Sequence, residues 1–143
     1  METSSTTLSG INQDSKYYKR KIEVLGLKEN IKIYENSDVK LNRLDNYCEE
    51  KKINKIDLLK IDTEGHEYQV MEGSIKIINK DNPDIIFEIN EQSFDMCINF
   101  LKQYKYHFYF LDEINKKFEK VDKFQNNLLR PEGSNCVATV NEI

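Results

Sequence analysis

Glycine and proline are scarce, at five and two in 143 residues, which excludes collagen-like and flexible low-complexity classes. The three cysteines, Cys48, Cys97 and Cys136, stand far apart in the chain and form no paired-thiol motif. A disulfide framework is thereby excluded, and three reduced, packed thiols in a cytoplasmic protein are expected. The only histidines, His66 and His107, lack the close spacing of metal ligands, so no metal site is assigned. Basic excess is missing too: Asp and Glu outnumber Lys and Arg by 25 to 21, for a net charge of −4. Such a chain is poorly suited to gripping nucleic acid through its phosphates. No apolar run approaches the roughly 18 residues of a spanning helix. Met1-Glu2-Thr3-Ser4-Ser5-Thr6-Thr7 has neither a basic nor an apolar region, so no secretory signal and no membrane association are expected. There is also no phosphate-binding Gly-rich loop and no nucleophile elbow around a serine.

What remains is 38% hydrophobic and 32% charged, enough apolar material for a core. Lys, Asn and Ile make up about a third of the chain while Arg appears three times. This is the mark of a codon bias towards A and T, and lysine clusters are discounted as functional signals accordingly. On length alone one domain is expected. Residues 1–30 are mostly polar and expected to be loosely ordered, and a strand is permitted over 31–39. Asp45 is placed to cap a helix, with Glu49 in its first turn. The run Ile56-Asp57-Leu58-Leu59-Lys60-Ile61-Asp62 reads as a strand buried on both faces. A helix is predicted from about His66 to Asn79, with Val70, Met71, Ile75 and Ile78 on one face. A second buried strand follows over Asp84–Ile89, then a helix from Gln92 to Tyr104 carrying Phe94, Cys97, Leu101 and Tyr104 on one stripe. A hairpin over 107–111 and 117–121 and a last strand over 136–140 complete the chain. Strand, helix, strand, helix and further strands define an α/β sheet with helical crossovers.

Ligands of open α/β sheets bind beyond the carboxyl ends of the strands. There the first buried strand runs into Lys60-Ile61-Asp62-Thr63-Glu64-Gly65-His66-Glu67, five ionisable groups in eight residues around a glycine. The second carries Glu88 between Phe87 and Ile89, followed by Asn90. If these strands are parallel neighbours, Asp62 and Glu88 lie close together at one edge. A carboxylate among apolar residues must be hydrogen-bonded, metal-bound or protonated, and a raised pKa suits a general base. Glu64 and Glu67 have an alternative, purely local reading, as caps that complement the dipole of the following helix. His66 is a candidate acid/base group or simply a solvent-exposed turn residue, and His107 reads as a packed residue of an aromatic strand.

These residues carry a resemblance. Leu44-Asp45-Asn46-Tyr47, the run from Ile56 to Gly65, then Glu67, Val70, Met71 and Gly73, then Pro83-Asp84-Ile85-Ile86-Phe87-Glu88-Ile89 resemble the FkbM family of S-adenosylmethionine-dependent methyltransferases. The resemblance is close over 31–89 and looser through the remaining C-terminal strands. It implies a Rossmann-like methyltransferase sheet with strands in spatial order 3-2-1-4-5-7-6, in which 56–62 is strand 4, 84–89 is strand 5, and the later strands are 6 and 7. It implies S-adenosylmethionine as cofactor, a hydroxyl on a small molecule or glycan as acceptor, and transfer by in-line displacement. Asp62, Glu64, His66 and Glu88 become the candidate catalytic residues, positioning and deprotonating that hydroxyl. In metal-dependent small-molecule methyltransferases of the same broad fold, carboxylates at these strand ends hold a divalent cation; that likeness remains an analogy.

The glycine shortage bears on this directly. Such an enzyme needs a Gly-rich turn after strand 1 where the backbone meets the cofactor, and no two of Gly10, Gly26, Gly65, Gly73 and Gly133 are close enough to form one. The chain is therefore expected to be a truncated sheet, the C-terminal half of the domain without its cofactor-binding strands, with 31–143 as its ordered part and its cofactor-binding residues unassigned. Strand 56–61 then becomes an exposed apolar edge, open to a second copy or to a separate N-terminal half. The alternative to a methyltransferase is thus an inactive or split-enzyme fragment acting as an interaction module. A stand-alone hydrolase built on Asp62 and Glu88 has no nucleophile or metal motif to support it.

Overall fold

A computed structural model describes residues 40–112, 114–130 and 134–143. The elements below all belong to the unit Asn42–Ile143. The segment 1–30 and the strand expected over 31–39 lie outside the described residues.

Among the described residues the architecture is α/β, a five-stranded sheet with four α-helices. In chain order the elements are α1 (Leu44–Lys51), β1 (Leu58–Ile61), α2 (Glu67–Glu72), α3 (Ile75–Asp81), β2 (Asp84–Glu88), α4 (Phe94–Lys102), β3 (His107–Asp112), β4 (Lys117–Lys120), a single 3-10 turn (Asn126–Leu128) and β5 (Asn135–Thr139). The spatial order is β1-β2-β5-β3-β4. β1 and β2 run parallel, with Ile61 opposite Phe87. β5 then inserts antiparallel between β2 and β3, and β4 closes the far side as a hairpin with β3.

The second strand and the helix after it form the heart of the core. Alternate residues Ile85 and Phe87 are fully buried along β2, continuing to Ile89 just past its end, as a pleated strand under a helix requires. α4 answers with Phe94, Cys97, Ile98 and Leu101, spaced to make one buried stripe. The ring centroids of Phe87 and Phe94 lie 5.7 Å apart. Tyr68 of α2 meets Phe100 of α4 edge-on at 5.8 Å. The buried Tyr106 hydroxyl donates to the Pro83 carbonyl at 2.8 Å, tying the start of β2 to the segment that leads into β3.

Three expectations are corrected. The helix over 66–79 is two helices, broken at Gly73-Ser74. Asp45 explains the break: its carboxylate accepts the N–H groups of Lys76 and Ile77, both at 3.1 Å, and so starts α3 anew. Asp45 therefore caps α3, and the N-cap of its own helix is Arg43. A side chain at Gly73 would also come within 3.3 Å of the Val70 carbonyl and 3.7 Å of the Arg43 Cα, so the two helices meet where bulk is excluded. Finally, β1 is not buried on both faces. Leu58 is 58% exposed, Lys60 is exposed, and only Ile61 is fully enclosed. Among the described residues β1 has one hydrogen-bonded neighbour, β2.

The thiols of Cys48, Cys97 and Cys136 are free and buried, as their spacing led one to expect. Among the described residues, no helix is long and apolar enough to cross a membrane.

Candidate functional site

The parallel register of β1 and β2 brings their carboxyl ends to one edge of the sheet. Ile61 pairs with Phe87, so Asp62 and Glu88 each follow one step further along adjacent strands. Asp62 is exposed and receives the Lys60 ammonium at 2.7 Å. Glu88 is half-buried, lying between β1 and β5, where its backbone is paired with Asn135. Burial pushes the Glu88 carboxyl above its ordinary range. The carboxylates of Glu64, Asp62 and Glu67 push it further, and the Lys60 ammonium opposes them in part. Asp62, Glu64 and Glu88 thus stand near enough to interact electrostatically, as the strand-end reading requires. His66 is exposed as the N-cap of α2, its Nδ1 3.4 Å from the Thr63 carbonyl.

The turn that presents these groups has an unusual backbone. Glu64 and Gly65 both have positive φ, +53° and +97°. Glycine adopts that conformation freely, whereas a residue with a Cβ does so at a cost of about 1–2 kcal/mol. Glu67 offsets this cost. Its Oε1 accepts the N–H groups on either side of Glu64, from Thr63 at 3.2 Å and from Gly65 at 3.0 Å, and the Thr63 hydroxyl at 3.2 Å. Its Oε2 accepts the Ser93 hydroxyl at 2.8 Å. The Glu67 side chain is wholly enclosed, and these four bonds are what make an enclosed carboxylate tolerable.

Ser93 belongs to the loop after β2, so this carboxylate fastens the two strand-end loops to each other. Asn90 lies on the same seam. Its Oδ1 accepts the Gln92 N–H at 2.9 Å, and a Cβ placed on Gly65 would lie 3.5 Å from its Nδ2. Glu67 lies in the first turn of α2, but its side chain makes no cap for that helix; it holds the turn before the helix and reaches across to the second loop. Sequence reasoning missed that bridge and missed Ser93 altogether. The available signal was a threonine and a glutamate four apart around a glycine turn, and it gives no hint of the distant serine.

Among the described residues, no group of three or more His, Cys, Asp or Glu is arranged to hold a metal ion. Nor do those residues by themselves fit S-adenosylmethionine. Gly65 abuts Asn90, and Gly73 is enclosed at a helix junction. Neither leaves a strand-end cradle where backbone could lie against the cofactor.

A family model described as a methyltransferase FkbM domain matches residues 3–108, well over half of the chain. The matched stretch takes in α1 to α4 with β1 and β2, and therefore every candidate site residue. It differs from the expected placement: it begins far upstream of Ile31, lies towards the N-terminal end of the chain, and ends before β4 and β5. No curated protein and no solved structure gave a match.

Proposed function

The chain belongs to the FkbM family of methyltransferases, and on that premise we propose that it serves the methylation of a hydroxyl group on a small molecule or glycan. The observation that carries this reading is the convergence of Glu88, Asp62 and Glu64 at the carboxyl ends of two parallel strands. An acceptor hydroxyl must be oriented and relieved of its proton as it is methylated. Glu88 is the proton acceptor, because its half-buried position and acidic neighbours raise its affinity for a proton. Asp62 and Glu64, both exposed, accept hydrogen bonds from the hydroxyl groups flanking the reacting one. His66, exposed at the head of α2, is the alternative acid/base group of the turn.

The sheet supports the same reading. The order β1-β2-β5-β3, with β5 antiparallel in the middle, is the order that strands 4, 5, 7 and 6 take in a Rossmann-like methyltransferase sheet. On this reading β1, β2, β5 and β3 are the acceptor-facing half of that sheet, and β4 has no counterpart in it. S-adenosylmethionine is the methyl source that the family implies, and no residue of this chain is assigned to hold it.

Calorimetric titration of the chain with S-adenosylmethionine and with its demethylated product tests the proposal. A stand-alone enzyme gives heat of binding with both. No heat at millimolar ligand would overturn a stand-alone enzyme.

One observation favours a second reading, an inactive or split-enzyme fragment acting as an interaction module. Leu58 is 58% exposed on a strand with a single hydrogen-bonded neighbour among the described residues. A second copy, or a separate N-terminal half, would pair with that edge. Light scattering at tens of micromolar is then expected to give more than the monomer mass, with slow amide exchange at Leu58–Ile61. A monomer with fast exchange there would sink this second reading.

A further inference from the structure

The four hydrogen bonds on Glu67 have more reach than a helix cap needs. Three go to the turn after β1 and the fourth crosses to the loop after β2. The two backbone donors flank Glu64, the residue whose left-handed φ of +53° its own Cβ resists. Ser93 is the N-cap residue of α4, yet its hydroxyl makes no cap for that helix and is spent on Glu67 instead. None of the four bonds caps α2, so the carboxylate serves the two loops and not its own helix.

We propose that Glu67 is a positioning residue of the site, its enclosed carboxylate locking the turn after β1 to the loop after β2 and so holding Glu64 beside Glu88. The inference rests on reading these two strand ends as the reacting site. Glu67 itself touches no substrate, because its side chain is fully enclosed. It acts by fixing the direction in which the exposed Glu64 carboxylate points. Glutamine at this position can keep the arrangement. Its carbonyl oxygen accepts from Thr63 and Gly65, and its amide donates to the Ser93 oxygen. Alanine cannot.

The test is a mutant cycle read by carbon NMR titration of the Glu88 carboxyl in the full chain. The groups acting on Glu88 are the carboxylates of Glu64, Asp62 and Glu67 and the ammonium of Lys60. Glu64→Gln removes the first of these and is expected to lower the Glu88 midpoint. The same lowering is expected when Glu64→Gln is made on top of Glu67→Gln, where the lock survives without its charge. On top of Glu67→Ala the lowering is expected to be lost, because Glu64 is no longer held near Glu88. A residue that merely stabilised the fold would reduce the melting temperature and leave this coupling intact. Equal coupling in all three backgrounds therefore overturns the proposal.

If Glu67→Ala does not fold, Ser93→Ala carries the same test. It cuts only the crossing bond and is expected to shrink the coupling, and full coupling there overturns the proposal equally. The titration needs no cofactor and no acceptor. A chain that fails to bind S-adenosylmethionine but keeps the coupling pattern would defeat the stand-alone methyltransferase reading and leave the lock standing.

Discussion

Glu67 and Asp45 are both enclosed carboxylates that gather backbone N–H groups, and they do different things with them. Asp45, 6% exposed, takes two N–H groups from consecutive residues, Lys76 and Ile77, at the head of a helix. That is ordinary capping, except that the cap comes from a residue 31 positions upstream and so binds α1 to α3. Glu67 takes N–H groups from two residues that are not consecutive, with Glu64 between them, and adds hydroxyl groups from Thr63 and Ser93. One carboxylate supports regular structure away from the strand ends. The other supports an irregular turn at the strand ends, where the backbone is strained and the charges converge. The difference lies in what each carboxylate supports: Lys52, Asn82, Lys105 and Lys116 are left-handed too, but the left-handed turn at Glu64 is the one held by the Glu67 carboxylate, at the edge that presents Asp62, Glu64 and Glu88.

The comparison is broken most directly by removing each carboxylate. Glu67→Ala leaves four donors without this partner, the Ser93 hydroxyl fully buried and those of Thr63 and Gly65 half-buried, and a loss of about 3 kcal/mol is expected in denaturant unfolding. Asp45→Ala removes a cap alone, and about 1–2 kcal/mol is expected. If the two losses were equal, the distinction between a lock and a cap would have no energetic basis.

A third variant sharpens the contrast through pH. The Glu88 carboxyl holds its proton more tightly in the folded state than its ordinary value of 4.5. Its contribution to stability is therefore full below the ordinary carboxylate range and is lost as pH rises through the raised midpoint. Glu88→Gln stays neutral throughout. Relative to the wild type it is expected to gain stability from acid to neutral pH, by less than the worth of the Asp45 cap because Glu88 is half-exposed. Thermal unfolding across that range measures the gain, and a parallel course for the two proteins would contradict it.

The smallest effect belongs to Lys60, whose ammonium lies 2.7 Å from Asp62 with both side chains more than half exposed. Lys60→Ala is expected to cost no more than about 0.5 kcal/mol.

Much of this was legible in the sequence because it depends on local pattern. The stripe of Phe94, Cys97 and Leu101 announced α4. The run from Asp84 to Ile89 announced β2. The nearness of Asp62 and Glu88 followed from parallel pairing plus strand ends, and the register supplied that pairing. What was missed depends on contacts between distant residues. The break at Gly73-Ser74 needs Asp45, and a helical pattern of apolar residues runs straight through it. The bridge to Ser93 spans 26 positions, with no signal at either end. Leu58 reads as core by composition, and its exposure is decided by which strands stand beside it.

The place of β5 has a consequence for how the protein is made. It lies between β2 and β3, pairing Ile86 with its Val137 on one side and Phe110 with its Cys136 on the other. The ribosome delivers β2 and β3 well before the strand that joins them. Until the stretch Asn135–Thr139 emerges, two half-sheets must wait with unsatisfied inner edges, prone to pairing with other nascent chains. Assembly of the sheet is therefore timed by the arrival of β5, and a chain ending before Asn135 would hold two strand pairs, β1-β2 and β3-β4, without the strand that joins them.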